Sequence, residues 1–473
     1  MGGMAPAPCP GPVGRRDFLR IGLTGFSTLT LPGLLRLRAE AAPARAPKSR
    51  SVILVWLRGG ASHLETYDPK PDAGSDYRGV FGTLRTNVPG THVSELLPLH
   101  ARIADKFTLV RSMSHTGGGH PAGSLQMLTG DPDPADKPRP IYPDWMTVAN
   151  ALYADPTRAL PNYVGVNGVA QYDGFEIAGQ AYLGPGYGPF MVSGDPNAPE
   201  FQVPNIGLRD SAAAARLDRR VGLRQRLDRL NRAVDAAGQI RALDAFEVQA
   251  LNLLSSPAAR AAFDLSREDA RTRDRYGRHR WGQQCLLARR LVEAGVQIVT
   301  TTLDGELCGR VANWDDHAVN HHVFDALRFR APAFDQAVTA LIEDLFARGL
   351  DRDLLVVVTG EFGRTPRIST APSSGGGVAS APAGTTQPGR DHWPQAFSQL
   401  WAGGGIAGGG VIGATDARGE EVVERRLGPG DFLATIYHHL GIDFENVAFP
   451  DFAGRPVPIV AHGAPIPELA PRG

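Results

Sequence analysis

The sequence predicts an α/β fold built on one mostly parallel sheet, and three observations lead there. Short apolar, β-rich runs recur at Ser51–Leu57, Phe107–Val110, Val296–Thr302 and Leu354–Val358, each suited to a strand covered on both faces. Amphipathic stretches at helical spacing, Trp281–Ala294 and Phe334–Gly349, stand before the last two runs. Each run also ends in a glycine-containing turn rich in ionisable residues. In open α/β sheets, ligands bind at the carboxyl ends of strands.

Ahead of the first strand, Gly14-Arg15-Arg16-Asp17-Phe18-Leu19 leads into an apolar run, Ile21 to Leu35, and then Ala39-Glu40-Ala41. A twin arginine, an apolar stretch and an A-x-A site are the layout of a Tat export signal. Residues 1–41 are therefore expected to be a leader for the Tat translocase, and 42–473 a single periplasmic or secreted domain. The apolar run is broken by Gly, Ser, Thr and Pro and falls short of the roughly 18–20 residues of a permanent membrane span. Lys+Arg and Asp+Glu are both 49, and the part after residue 41 is near −3, so charge gives no support to a nucleic-acid partner. Cys9, Cys285 and Cys308 form neither a disulfide framework nor a zinc CxxC motif.

The first strand delivers Arg58-Gly59-Gly60-Ala61-Ser62-His63, with Glu65 and Asp68 just behind. Paired glycines permit a tight turn and close ligand approach; a turn rich in capping residues is the plain alternative. Phe107–Val110 leads to His115, Gly117-Gly118-Gly119 and His120, then a helix from Pro121 that stops at Gly130. Helix N-termini favour anions, so His120 would face a phosphate or sulfate oxygen; two incidental loop histidines are the alternative. Residues 131–208, rich in Pro, Gly, Tyr and Asn, read as an irregular excursion, and 209–295 as helical, with an amphipathic helix at Gln239–Leu254. The core is thus expected in 51–130 and 296–460, with 131–295 inserted.

Val296–Thr302 delivers Asp304-Gly305, then Asn313-Trp314-Asp315-Asp316-His317 and His321-His322. Leu354–Val358 delivers Thr359-Gly360-Glu361, Arg364 and, after a Gly/Ser/Ala/Pro-rich loop, Arg390-Asp391-His392. Ala402–Gly413 lacks the strand-turn-helix frame of a dinucleotide site and reads as a close-packing loop or hairpin. Leu427–Leu440 is a helix stopped by Gly441. His438 and His439 sit at its C-terminal end, where the dipole favours imidazolium, and are read as structural.

Carboxylate and imidazole two residues apart, as in Asp315 and His317, is a common pattern for first-row metals, while oxygen ligands suit harder ions. Carboxylates, imidazoles and arginines gathered at four strand ends suit a divalent-metal site handling an anionic ester. Zinc is the expected ion, with magnesium, manganese or calcium as alternatives. Glu361 joins as ligand or base, His120 as catalytic residue or ligand, and Arg364 or Arg390 as a fork on the anion. His63 and His115 are further substrate contacts. No G-x-S-x-G elbow supports a serine esterase.

The leader, WLRGGASHLETYDPKP, YGRHRWGQQCLLARRLVEAGVQIVTT, NWDDH, VVVTGEFGRTP and GRDHWP resemble the bacterial "domain of unknown function 1501" family, abundant in planctomycetes. The resemblance implies an alkaline-phosphatase-like or sulfatase-like three-layer α/β/α sandwich with a helical and irregular insertion. It also implies metal-dependent ester hydrolysis. Asp315, His317 and His392 resemble the Asp/His/His set of one metal site. Glu361 stands where that superfamily has the Asp of an Asp-His pair, but Phe362 replaces the His. Arg58-Gly59 stands where a metal-binding Asp precedes Gly, and His120 falls near the usual Ser/Thr/Cys nucleophile. No Cys lies there, which excludes the usual formylglycine sulfatase. The expected function is an exported metal-dependent hydrolase of phosphate or sulfate esters, including sulfated or phosphorylated glycans. The alternative is a catalytically altered member that binds a glycan or a partner.

Overall fold

The computed structural model describes residues 50–471 apart from 156–157, 204–205, 207–252, 254–255, 306, 308–312 and 377–378. The leader over 1–41, nearly all of the helix expected over 239–254, and Cys9 and Cys308 lie outside the described residues.

Eight strands form the central sheet: β1 (Ser51–Trp56), β2 (Phe107–Met113), β3 (Tyr163–Val166), β4 (Phe190–Val192), β5 (Ile298–Thr302), β6 (Leu354–Thr359), β7 (Phe397–Gly403) and β8 (Val411–Ile412). Their order across the sheet is β8-β2-β7-β6-β1-β5-β3-β4. Only β7 runs against its neighbours, β6 and β2; the other pairings are parallel. The expectation of a mostly parallel sheet holds.

Alternation along the strands explains the layers. Ile53 and Val55 face one core, with Val356, Val358 and Val299, while Val52, Leu54 and Trp56 face the other, with Leu355, Val357 and Ile298. The first core is closed by α4 (Arg280–Glu293) and α5 (Val323–Ala347), and by the short α1 (Pro98–Arg102). The second is closed by α2 (His120–Thr129), α3 (Trp145–Leu152) and α6 (Pro429–Leu440). A strand covered on both faces has no polar side to show, which is why these runs lack alternation in sequence.

Three expectations need correction. Residues 131–208 are not merely an irregular excursion, because they supply β3 and β4 at one edge of the sheet, and a hairpin, Gln171–Tyr172 with Phe175–Glu176. These strands are too short for periodicity to reveal. Helix α5 starts eleven residues before the expected Phe334 and runs through Pro332. Proline removes one N–H from a helix, and burial of Val323, Phe324 and Leu327 outweighs that loss here. His439 is structural, but not as the imidazolium a helix end favours: burial pushes its pKa down to about 4, and its Nε2 lies 3.1 Å from the Ser51 carbonyl.

Candidate metal centre

The turn after β1 organises the site. Gly59 has φ 106°, and a Cβ there would stand 2.5 Å from the Asp315 nitrogen, so only glycine lets the 313–317 loop rest on this turn. The Trp314 N–H donates to the Arg58 carbonyl at 2.8 Å, and the Gly59 N–H donates to Glu361 Oε1 at 2.8 Å. A short antiparallel pairing, Gly363–Arg364 with His392–Trp393, sets His392 opposite Arg364. Gly389 has the same role as Gly59, since a side chain there would collide with the Ala318 backbone. The loops after β1, β5 and β6 are thereby stacked on each other.

On that stack, His120, Asp315, His317 and His392 bring one ligand atom each to within 4.8 Å of one another. Asp315 Oδ1 lies 3.3 Å from His120 Nε2, 3.0 Å from His317 Nε2 and 3.4 Å from His392 Nε2. His317 Nε2 and His392 Nε2 are 2.9 Å apart. Each ring is oriented from behind through Nδ1: His120 to Glu361 Oε1 at 2.8 Å, His317 to Asp391 Oδ1 at 2.7 Å, and His392 to the Gly118 carbonyl at 2.8 Å. A carbonyl or carboxylate oxygen only accepts, so each Nδ1 carries the proton and the lone pair of each neutral ring is on Nε2, facing Asp315.

The electrostatics follow. Burial alone would lift the Asp315 carboxyl, but the three imidazoles turned toward it and the Arg364 charge hold it well below the usual carboxylate range. Burial lowers the His120 pKa, yet Asp315 and Glu361 outweigh it and the net shift is upward; His317 likewise rises, on Asp315 and Asp391. His392 falls, because burial and the neighbouring Arg364, His120 and His317 charges outweigh Asp315.

The residues fit a divalent ion. Four ligands on a tetrahedral zinc at 2.0–2.1 Å sit about 3.3 Å apart, close to the three separations measured from Asp315. The buried His120 Nε2 has no hydrogen-bond partner. Second-sphere oxygens that fix the tautomer of metal-binding histidines are present for all three rings.

Several expected site residues occupy other positions. Glu361 is not among the four converging groups; it lies one step out, fully buried, holding His120 and the Gly59 N–H. Arg364 is fully buried, bonding Asp315 Oδ1 at 2.6 Å and the Gly59, Gly60 and Arg390 carbonyls. All five N–H groups of Arg390 are engaged by Glu65 and the Thr365, Pro366 and Tyr77 carbonyls, so it is a strut between loops and no fork for an anion. His115 donates to the Glu361 carbonyl at 2.6 Å and accepts from the Gly117 N–H, and burial lowers its pKa to about 4. His63 is buried against the Gly419 carbonyl at 2.9 Å. The N-terminus of α2 is covered by Asp136, whose Oδ1 accepts from the Ala122 N–H at 3.0 Å.

Other residues, to which the sequence assigned no role, also build the site. Tyr172, in the hairpin, stacks on His120 at 3.9 Å between ring centres and 13° from parallel. Arg58 lies over Tyr172 at 4.2 Å, and at that distance it must take the face His120 leaves free. Phe362 packs 4.5 Å from the His392 ring. Arg330 on α5 grips the 313–317 loop through the Asn313 carbonyl and the Asp316 carboxylate, with both Arg330 and Asp316 fully buried. Nothing in the spacing around Tyr172 or Arg330 signals these contacts; Asp391, beside His392 in GRDHWP, is the one that adjacency could have found.

The fold and site define a mostly parallel α/β protein with a three-histidine, one-aspartate cluster at the carboxyl ends of its strands. The chain belongs to the family described as "Protein of unknown function (DUF1501)", which matches over residues 49–470. Comparison with curated protein sequences finds no match. Among solved structures the chain is similar to Ps i-CgsB in complex with k-i-k-neocarrahexaose, at 10% identity and a TM-score of 0.36, covering 84% of this chain and 73% of that one. It is also similar to the PsFucS1 sulfatase from Pseudoalteromonas sp. (11%, TM-score 0.30, 92% and 74% covered). A third is the phosphonate monoester hydrolase of Agrobacterium radiobacter (12%, TM-score 0.32, 89% and 77%). No helix among the described residues is long and apolar enough to cross a membrane.

Proposed function

We propose that this protein is a metal-dependent hydrolase of phosphate or sulfate esters, exported through the Tat pathway as a single domain spanning residues 42–473. The observation that carries this reading is the arrangement of three imidazoles, each with Nδ1 committed to an oxygen and Nε2 turned toward Asp315. His120, Asp315, His317 and His392 would hold the ion, with zinc favoured by three nitrogens and one oxygen. A divalent ion bound there supplies Lewis acidity toward an ester oxygen and lowers the pKa of bound water. Glu361 and Asp391 keep their histidines in the ligating tautomer, and Arg364 holds the Asp315 carboxylate in place. Phe362 and Tyr172 wall the cluster with apolar rings, which lowers the local dielectric.

One observation favours the alternative, a catalytically altered member that binds a glycan or partner: both arginines expected on the anion are engaged inside the protein. Elemental analysis of the purified chain and a panel of aryl phosphates and sulfates separate the two. The hydrolase reading expects about one divalent ion per chain, turnover that a chelator abolishes, and loss of both in His317→Ala. A folded, metal-loaded chain inert on the whole panel would sink it.

A further inference from the structure

Beyond Tyr172, on the side away from His120, lies a cleft of about 460 Å³ that no part of the cluster uses. It opens at the carboxyl ends of β1, β5, β3 and β4, lined there by Trp56 and Arg58, Thr302 and Asp304, Asn167 and Ser193 respectively, with Gln171 and Asp173 of the hairpin on the near side. Tyr172 is thus a partition with the cluster on one face and this cleft's arginine on the other. The volume lies within the roughly 300–1,000 Å³ of small-molecule sites.

The lining chemistry is specific. Among the described lining residues Arg58 is the one cation, paired with Asp304 at 3.0 Å and Asp173 at 3.3 Å, so this lining sets two carboxylates against one guanidinium and disfavours a second anionic group. Trp56 Nε1 and Thr302 Oγ1 belong to buried lining residues and have no hydrogen-bond partner, and neither has Arg58 Nε. Unpaired buried donors are costly unless an acceptor reaches them. The Asp173 and Asp304 carboxylates line the same cleft, and a hydroxyl group serves donors and acceptors alike. Val169, Ile177 and Met191 add an apolar strip for the C–H face of a ring. The rim is rigid, because the Asn167 side chain holds both the N–H and the carbonyl of Gly194, at 3.0 and 2.7 Å.

Building on the hydrolase reading, we infer that this cleft is the subsite for the uncharged, hydroxyl-bearing part of the ester, a moiety of the size and polarity of one sugar ring. The ester's own anion is directed to the cluster, and the subsite rejects a second anion.

Saturation-transfer NMR on the full chain tests this with methyl β-D-glucopyranoside, methyl β-D-galactopyranoside and methyl α-D-mannopyranoside as neutral probes, and methyl β-D-glucuronide as the anionic one. At least one neutral glycoside should bind, with the uronide at least tenfold weaker. Ser193→Trp and Gln171→Ala, both at exposed positions, should weaken that binding at least tenfold and threefold. His317→Ala should leave it unchanged. Absence of neutral-glycoside binding, equal binding of the uronide, or indifference to both cleft variants would overturn the assignment. Glycoside binding in a chain that takes up no metal would remove the hydrolase reading while supporting the subsite.

Discussion

Two buried histidine–aspartate groups in this molecule look alike in composition and differ in what their atoms lack. In the core beside α5, His100 Nδ1 meets Asp335 Oδ1 at 2.6 Å and its Nε2 meets the Tyr67 hydroxyl at 3.2 Å. Asp335 also accepts from the Leu99 and His100 N–H groups at the start of α1. Every ring nitrogen there has a partner, and Phe334 stacks on the ring. At the strand ends, His120, His317 and His392 are each held from behind at Nδ1, their Nε2 atoms crowd toward one carboxylate oxygen, and His120 Nε2 has no hydrogen-bond partner. A closed network holds the fold together, whereas lone pairs left converging on one point need a cation or protons. The lesson is to count the unsatisfied side of each histidine rather than its burial.

The largest effect that would test this contrast belongs to the closed network. Asp335→Ala leaves a buried imidazole and two helix N–H groups without their acceptor, so it should cost roughly 3–5 kcal/mol in urea unfolding. Metal content should stay at the wild-type value. Loss of metal in that variant would erase the distinction between the two groups.

Next in size is an acid effect at His439, a histidine kept neutral by burial. Its folded pKa of about 4 lies below the unfolded value near 6.5, so the folded state binds fewer protons in between. Its contribution is complete above about pH 6.5 and is lost as pH falls toward 4, amounting to roughly 3 kcal/mol. His439→Gln should flatten the fall of unfolding free energy over that window by about one proton.

The smallest effect sharpens the second sphere. Glu361→Gln keeps an acceptor for His120 but removes the charge, and should weaken metal binding about 10–100-fold in a chelator-competition titration. Asp391→Asn, behind the more exposed His317, should fall at the low end of that range. Equal affinity in both variants and wild type would mean that the oxygens behind the rings do not tune them.

Much of this was legible in the sequence. The runs at Ser51, Phe107, Val296 and Leu354 became β1, β2, β5 and β6, because a strand buried on both faces has a composition no loop imitates. His120, Asp315, His317 and His392 were all singled out, since each follows such a run through a glycine turn. The strands β3 and β4, only four and three residues long, carry no such signature. The partners of Arg364 and Arg390 were not legible for another reason. A guanidinium looks the same in sequence whether its partner is a ligand or a backbone carbonyl, and only the fold reveals which carbonyls lie within reach.

The strand order has a consequence for how the protein comes together. β1 lies between β5 and β6, so Val52 finds its neighbours at Ile298 and Leu355, across most of the chain. Such distant pairings are slow to form because long loops must close first. Asp315, His317 and His392 ride on loops that this pairing brings together, and His120 comes in with β2 from the far side of β7, so no short fragment of the chain holds the set. On the proposed metal-binding reading, cation capture is a late event, a signature of completed folding that a truncated chain will fail to show.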